Sequence, residues 1–301
     1  MIVIDSKNTE TKVLHQYLLG SIGPRPIAFA STMDRNGNPN LSPFSFFNVF
    51  SANPPVVIFS PARRVRDNST KDTLANVIET KEVCINVVTY GLVEQASLAS
   101  TEYPRYVNEF TKAGLTPLAS DLIRPFRVKE SPVQMECRVM EVISLGDQGG
   151  AGNLVMAEVL RMHINPEVLD ENGMIDQTKI DLVGRMGSDW YVRSHGEALF
   201  EVEKPNRNLG IGVDMLPPSI RSSYILSGND LGKLANVSAI PGDNKVQERS
   251  QWPDIQDMVM RANDGAELRE LLHEKAKELL ASNKVEEAWT VLLIDRLNRT
   301  L

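Results

Sequence analysis

The first residues whose types and spacing suit a chemical task lie in a basic stretch, SPARRVRDNSTKDT, that begins at residue 60. It comes where an apolar strand ends and a helical pattern begins. N–H groups at a helix start, a hydroxyl and one or two guanidinium groups together suit a phosphate monoester. A solvated, charged surface loop is the alternative that the spacing leaves open. The cations of the stretch are Arg63, Arg64, Arg66 and Lys71, and its hydroxyls are Ser60, Ser69, Thr70 and Thr73.

A polar–aromatic stretch, SPFSFFNVF, precedes it and spans Ser42 to Phe50. Its four phenylalanines are separated by serine, asparagine and valine. A strand that only fills a core usually alternates apolar and polar residues or stays apolar throughout. This mixture suits a strand that lines a flat heteroaromatic ligand, because rings provide stacking and edge contacts and small residues such as Ser45 let the backbone approach. Core phenylalanines with polar residues facing water remain the alternative.

Common nucleotide and catalytic motifs are absent from the sequence. No GxxxxGK[ST] occurs, and LGIGVDM lacks the third glycine and the following helix of a dinucleotide-binding fingerprint. The histidines have no HExxH spacing. The GxSxG motif that is typical of α/β-hydrolases is also absent. The two cysteines, Cys84 and Cys137, form no CxxC pair, so we expect buried reduced thiols and no metal site.

The composition is that of an ordinary globular protein, with 42% hydrophobic and 24% charged residues in a chain of 301. The net charge of -7 argues against nucleic acid as the main partner, because phosphate backbones bind basic surfaces. No stretch approaches the roughly 18 consecutive apolar residues of a membrane span. The N-terminal segment lacks the features of a signal peptide. We therefore expect a cytoplasmic protein with neither a membrane nor a nucleic-acid partner.

The first two-thirds of the chain is predicted to be mostly β. We predict strands in RPIAFASTMD, in LSPFSFFNVF after the Asn36-Gly37 turn, in PPVVIFSP and in EVCINVVTY. Two further strands, PVQMECRVMEVISLG and NLVMAEVLRMHI, are joined by the glycine-rich GDQGGAG. The segment KDTLANVIET has helical spacing, with Leu74, Val77 and Ile78 on one face. Many short strands with few long helices indicate a barrel or a sandwich.

The character of the sequence changes after about residue 205. The segment KPNRNLGIGVDMLPPSIRSSY is rich in proline, glycine and serine and is predicted to be a loop. From about Asp254 onward the pattern is helical, with an apolar stripe through residues 268–280 and a second helix in VEEAWTVLLIDRL. We therefore divide the chain into a domain at 1–205 and a loop-rich, then helical, extension at 206–301.

An ordered series of motifs in residues 10–205 resembles the flavin reductase-like family of FMN-binding split barrels. The segments that carry the resemblance are RPIAFASTMDRNGNPNLSPFSFFNVFSANPPVVIFSPARR and KDTLANVIETKEVCINVV. The later segments GNLVMAEVLRMHI and LVGRMGSDWYVR also follow the family's order. The resemblance implies a mostly β fold, namely a Greek-key split β-barrel with peripheral helices. Such proteins usually form a homodimer with flavin near the subunit interface.

The resemblance also implies a role for both stretches. In the family, the strand that matches Ser42–Asn48 runs along the flavin ring, and the loops that match Ser60–Arg64 and Lys71–Thr73 bind the phosphate. One ligand then accounts for both stretches at once. The implied cofactor-binding residues are Thr32, Ser45, Phe46, Phe47 and Asn48 at the ring and Ser60, Arg63, Arg64, Lys71 and Thr73 at the phosphate.

One departure from the family leaves the electron donor open. Many members carry a histidine in the turn before the late strand, where this chain has Gly152-Asn153-Leu154. His163 matches a different position, at which we expect a structural role. The implied function is hydride transfer from NAD(P)H to flavin, with a flavin-dependent oxygenase or another electron acceptor as partner. A flavin-binding electron carrier without NAD(P)H turnover is the alternative. A deazaflavin or haem is a third, and the scattered histidines disfavour haem.

Overall fold

The computed structural model describes residues 1–205 and 209–297 of the chain. It divides into two compact units, Met1–Phe200 and Glu201–Leu301. The predicted start of the extension, residue 206, lies outside the described residues. None of the helices in the described ranges combines the length and the apolar character that crossing a bilayer requires.

The strands of the first unit are β1 (Ala28–Met33), β2 (Pro39–Phe44), β3 (Phe47–Ala52), β4 (Pro55–Phe59), β5 (Glu82–Val87), β6 (Pro117–Leu118), β7 (Arg127–Val128), β8 (Val133–Ser144), β9 (Asn153–Ile164), β10 (Val183–Arg185) and β11 (Tyr191–Arg193). Within residues 1–200, seven of them form one antiparallel sheet in the order β2-β1-β5-β8-β9-β4-β3. Two small sheets pair β6 with β7 and β10 with β11. The large sheet agrees with the predicted mostly β class, but it is not closed into a complete barrel.

Four helices accompany the sheet: α1 (Thr11–Ser21), α2 (Asp72–Thr80), α3 (Val93–Leu98) and α4 (Glu109–Ala113). The predicted helix in KDTLANVIET is α2, and it buries Leu74 and Val77 against the sheet. Ile78 was predicted on the same face, but it is 51% exposed, so the buried face of α2 is narrower than its apolar pattern.

The core of the sheet follows from the alternation along β8. Met135, Cys137 and Val139 join the main hydrophobic cluster of the first unit, and burial of such side chains is the main source of stability. Two polar residues of β8, Gln134 and Glu136, are also buried, whereas Arg138 is exposed. Gln134 donates to backbone carbonyls, and Glu136 accepts from backbone N–H groups, so neither is left without a partner.

The stretch LSPFSFFNVF, predicted as one strand, is two strands at opposite edges of the sheet. β2 ends at Phe44 and β3 begins at Phe47, and these strands are the first and last in the strand order. Only Ser45 and Phe46 join them, and three backbone steps span at most about 11 Å. The sheet must therefore curl until its two edges approach each other here. The result is an open barrel whose split passes through the polar–aromatic stretch.

The second unit is helical. Its helices are α5 (Pro218–Arg221), α6 (Gly228–Ala235), α7 (Asp243–Ser250), α8 (Pro253–Arg261), α9 (Gly265–Ala281), α10 (Val285–Leu292) and α11 (Ile294–Leu297). The apolar stripe predicted for residues 268–280 lies on α9 and is buried in one cluster together with Trp289 of α10. This unit has its own hydrophobic core.

Two boundaries predicted for this unit were wrong. Helices begin at Pro218, well before Asp254. The polar α6 and α7 bury few apolar side chains, Leu234 and Ala235 in α6 and Val246 in α7, and therefore show little periodicity. The segment predicted as loop also supplies Leu216 and Ile220 to the core. The helix predicted in VEEAWTVLLIDRL is interrupted at Leu293, between α10 and α11.

Candidate functional site

The polar–aromatic stretch and the basic stretch meet at the split of the barrel. The backbone N–H of Ser60 donates to the carbonyl of Phe46 at 2.8 Å. Phe47, which follows Phe46, pairs with Phe59, which precedes Ser60, in the register of β3 and β4. The two stretches that the sequence analysis joined through one ligand are therefore direct neighbours.

Hydrogen bonds within the basic loop fix its shape. The N–H of Arg64 donates to Ser69 O, and the N–H of Asn68 donates to Arg64 O, each at 2.9 Å. Asn68 takes a positive φ of 58°, which asparagine tolerates better than most residues. This turn fixes the backbone of the loop between β4 and α2. The backbone positions of the cationic residues are therefore fixed as well.

The glycine-rich hairpin between β8 and β9 supports this loop from one side. Arg63 N–H donates to Ala151 O at 2.8 Å, and Gly150 N–H donates to Arg63 O at 2.9 Å. A Cβ at Gly149 would lie 3.0 Å from the Arg64 carbonyl oxygen, and one at Gly152 would lie 2.8 Å from Ser60 Oγ. The hairpin can therefore approach the basic loop only with glycine at these positions.

Two cations of the loop have hydrogen-bonding capacity left over. The buried Nε of Arg63 has no partner among the described residues, while its Nη1 donates to Asn68 O at 3.2 Å. The Lys71 ammonium donates to Ser42 Oγ at 2.6 Å and lies 5.2 Å from the centre of the Phe44 ring. Burial, and then the nearby charge of Arg64, lower the pKa of Lys71 to about 8. An anion bound here would satisfy both groups.

The helix that follows the loop adds a further anion-binding feature. α2 begins at Asp72, and no side chain of its N-cap residue, Lys71, caps its first N–H groups. These N–H groups and the helix dipole favour negative charge at this end. A phosphate would therefore meet the loop cations and the start of α2 together.

Ser60 is held at the base of the loop. It is 8% exposed, and its Oγ accepts the backbone N–H of Asn153 at 3.1 Å. The side chain of Asn153 donates to Pro61 O at 2.9 Å, which ties the start of β9 to the loop. Since Ser60 Oγ accepts this bond, its own hydrogen can be donated to a ligand.

Thr32 and Thr73 lie beneath the surface and are 0% exposed. The Asn40 amide donates to both hydroxyls, at 3.0 and 2.9 Å, and Asn76 donates to Thr32 at 3.1 Å. This buried network fixes the first turn of α2 to β1 and β2. The contact of Thr32 and Thr73 with a cofactor stays a prediction. Their hydrogen bonds with Asn40 and Asn76 also position the start of α2.

The four residues of the polar–aromatic stretch that are predicted to line the ring divide between the core and the surface. Phe47 packs against the main hydrophobic cluster, whereas Phe46 is 39% exposed. Asn48 is exposed, and its Oδ1 accepts the N–H of Val49 at 2.8 Å. Ser45 lies between core and surface. Ser45, Phe46 and Asn48 are thus at least partly accessible, whereas Phe47 belongs to the core, and their contact with a cofactor stays a prediction.

Comparison with known proteins decides the family. A family model described as a flavin reductase like domain matches residues 20–180, more than half of the chain. The chain belongs to the flavin reductase-like family. This membership indicates a flavin-related oxidoreductase and agrees with the site at the split.

Individual relatives match about two-thirds of this flavin reductase-like chain. An uncharacterized protein of Aquifex aeolicus is 37% identical over 196 residues, 65% of this chain and 97% of that protein. The crystal structure of nitrilotriacetate monooxygenase component B from Bacillus cereus superposes with a TM-score of 0.62 at 30% identity, covering 67% of this chain and 98% of that one. A protein with a split barrel domain from Shewanella frigidimarina gives a TM-score of 0.57 at 26% identity, covering 68% and 100%.

Arg25 of this flavin reductase-like chain contacts the predicted site, and the sequence analysis gave it no role. It is 7% exposed, and its guanidinium donates to Leu19 O at 2.8 Å, to Met186 O at 2.7 Å and to the Ile22 carbonyl. Its Nε also reaches Ser45 Oγ at 3.5 Å. Arg25 therefore links the end of α1 to the ring-lining stretch. The sequence contains the pair Arg25-Pro26, but Met186 and Ser45 are 161 and 20 residues away from Arg25, so no local pattern indicates these contacts.

His163, for which we expect a structural role, contacts a buried carboxylate. Its Nε2 lies 2.6 Å from Glu136 Oε1, and Asp121 lies close enough to form a three-residue cluster with them. Burial alone would raise the pKa of Glu136, but hydrogen bonds from the Asp121 N–H and from His163 outweigh it, so the pKa is lowered. Glu136 thus stays ionised and anchors the segment after β6 to β8.

Proposed function

We propose that this chain binds FMN and transfers hydride from NAD(P)H to the flavin. The observation that supports it most is the hydrogen bond between Ser60 and Phe46, because it joins the ring-lining stretch and the phosphate-binding loop in one site. Family membership supports the flavin-related chemistry, and the basic loop supports a flavin that carries a phosphate.

Three observations support a fit of the phosphate to the loop: the buried Nε of Arg63, the ammonium of Lys71 and the uncapped start of α2. Ser60 and Arg64 complete the set, and Thr73 lies in the first turn of α2. Ser45, Phe46 and Asn48 would hold the ring, with Phe47 and Thr32 supporting them from behind. FMN, when bound, supplies the redox chemistry, and a nicotinamide stacked on its open face is the proposed donor.

We propose a homodimer with a flavin-dependent oxygenase as acceptor. Val49 and Phe50 on the edge strand β3 are 67% and 65% exposed. Apolar side chains on an open sheet edge favour pairing with another protein surface, and a second copy is the proposed partner. The similarity to component B of a nitrilotriacetate monooxygenase supports the oxygenase.

FMN affinity is expected to fall as the pH rises through about 8. The pKa of Lys71 is lowered to about 8 by burial and by Arg64. A bound phosphate would raise that pKa, so FMN binds the protonated form better, and affinity declines above the free-state pKa by up to about tenfold per pH unit. Titrations of FMN fluorescence across this range measure it. Lys71→Met should abolish the decline, and an unchanged profile in that variant would count against the assignment.

Steady-state oxidation of NADH and NADPH with added FMN tests the proposed reaction. Turnover supports it, whereas tight flavin binding without turnover supports the electron carrier. One observation favours that second candidate: Asn153, in the turn where many family members carry a histidine, is buried and bonded to Pro61, so this position offers no titratable group. The visible spectrum before and after desalting shows whether flavin is retained or exchanged.

A further inference from the structure

A carboxylate from another part of the chain already occupies the outer side of the basic loop. Arg64 Nε donates to Glu102 Oε1 at 2.8 Å, and Arg66 Nη2 donates to Glu102 Oε2 at 3.0 Å. Glu102 follows α3, and 38 residues separate it from Arg64. The two oxygens of one anion are thus shared between two guanidinium groups.

This arrangement has the chemistry of a phosphate clamp. Carboxylates and phosphates bind guanidinium groups through the same charge-assisted hydrogen bonds. Arg64 Nη1 is already engaged, with Ser69 Oγ at 2.8 Å and Thr70 O at 3.2 Å. A phosphate that approaches Arg64 must therefore either lie beside the Glu102 carboxylate, at the cost of like-charge repulsion, or displace it.

Glu102 is ionised and weakly held, as a displaceable group must be. The hydrogen bond from Arg66 is the main cause of its lowered pKa. The side chain of Glu102 is 49% exposed, that of Arg66 is 71% exposed and that of Arg64 is 24% exposed. Ion pairs with such an exposed carboxylate contribute little to stability.

The segment around Glu102 has other attachments that would survive its release. Lys112 lies 5.6 Å from the centre of the Tyr103 ring, and Arg105 lies 3.8 Å from Asp72. The side chain of Asn108 caps α4 by accepting the N–H of Phe110 at 3.0 Å. Moving the Glu102 side chain therefore does not require α4 to unfold.

We propose that Glu102 is an internal competitor for the flavin phosphate and sets how long FMN stays bound. The inference rests on the proposed function, since it needs FMN phosphate at Arg64. A carboxylate that returns to Arg64 and Arg66 when the phosphate leaves favours exchange of flavin over permanent retention. Such exchange suits a protein that hands reduced flavin to a partner.

The test compares FMN with riboflavin, which has the same ring and no phosphate, on the wild-type chain and on Glu102→Gln. We expect Glu102→Gln to bind FMN about fivefold more tightly, the size of effect that an exposed ion pair allows, and to release it more slowly in stopped-flow displacement. Riboflavin affinity should not change. The matched control is Glu171→Gln, which removes the same charge from an exposed turn and should leave both affinities within about twofold.

Each other outcome has a defined meaning. If the wild-type chain binds FMN but Glu102→Gln binds it equally or less tightly, the competitor role is wrong and the proposed function stands. A gain for riboflavin as large as that for FMN would also contradict it, because the effect would not involve the phosphate. If neither protein binds FMN, the proposed function fails and this inference fails with it.

Discussion

Replacing Arg64 and Lys71 together by alanine is expected to weaken FMN binding by about 100- to 10,000-fold. A hydrogen bond to a charged group contributes about 1.5–3 kcal/mol, and about 1.4 kcal/mol corresponds to a tenfold change in affinity. Arg64 lies in the turn of the basic loop, and Lys71 is the N-cap residue of α2. A fluorescence titration of FMN with the double variant measures the loss.

A charge-matched control separates the local effect from the change in net charge. Arg35 is exposed and pairs with Glu79 at 2.9 Å, and Lys129 is exposed as well. The double variant Arg35→Ala with Lys129→Ala also removes one arginine and one lysine charge, but at other positions. It should leave FMN affinity within about threefold of the wild-type value. Urea unfolding should show the Arg64 and Lys71 variant folded. Equal losses in both double variants would mean that long-range charge, rather than the loop, governs binding.

Replacing Trp289 by alanine is expected to destabilise the second unit by about 3–5 kcal/mol, as large-to-small changes of buried aromatic residues do. Trp289 is 0% exposed within the cluster that includes Leu272 and Leu280. Its Nε1 also donates to Leu234 O at 3.0 Å, so the substitution leaves that carbonyl without its donor. Urea or thermal unfolding followed by circular dichroism measures the change.

Trp252 provides the matched control in the same unit. It is 47% exposed and stacks with Arg249, 4.2 Å from the ring centre, so Trp252→Ala should cost about 1 kcal/mol or less. All ten proposed cofactor residues lie in the first unit, so FMN affinity should not change in Trp289→Ala under native conditions. A large loss of FMN affinity there would show that the second unit contributes to the site.

The sequence alone predicted much of the first unit because its signals are local. The turn at Asn36-Gly37 takes the expected positive φ, 90° at Gly37, and joins β1 to β2. The apolar alternation of β8 and the helical spacing at Leu74 and Val77 both correspond to buried faces. The basic stretch was predicted from composition and position, and it does lie between a strand and a helix start.

Other features depend on contacts between distant residues, which a sequence pattern does not carry. The break between Phe44 and Phe47 follows from the curl of the whole sheet, since each half pairs with a different strand. The burial of Thr32 depends on Asn40 and Asn76. Glu102 gave no signal at all, because an exposed glutamate in a polar loop is indistinguishable from a solvated one.

The crystal structure of the chain in complex with FMN tests the central claim most directly. We expect the phosphate within hydrogen-bond distance, about 3 Å, of the Lys71 ammonium and the Arg63 guanidinium, at the start of α2. We expect the ring to run along Ser45, Phe46 and Asn48 at the split of the barrel. An FMN molecule whose phosphate lies on another surface, with the basic loop contacting only solvent, would contradict the account.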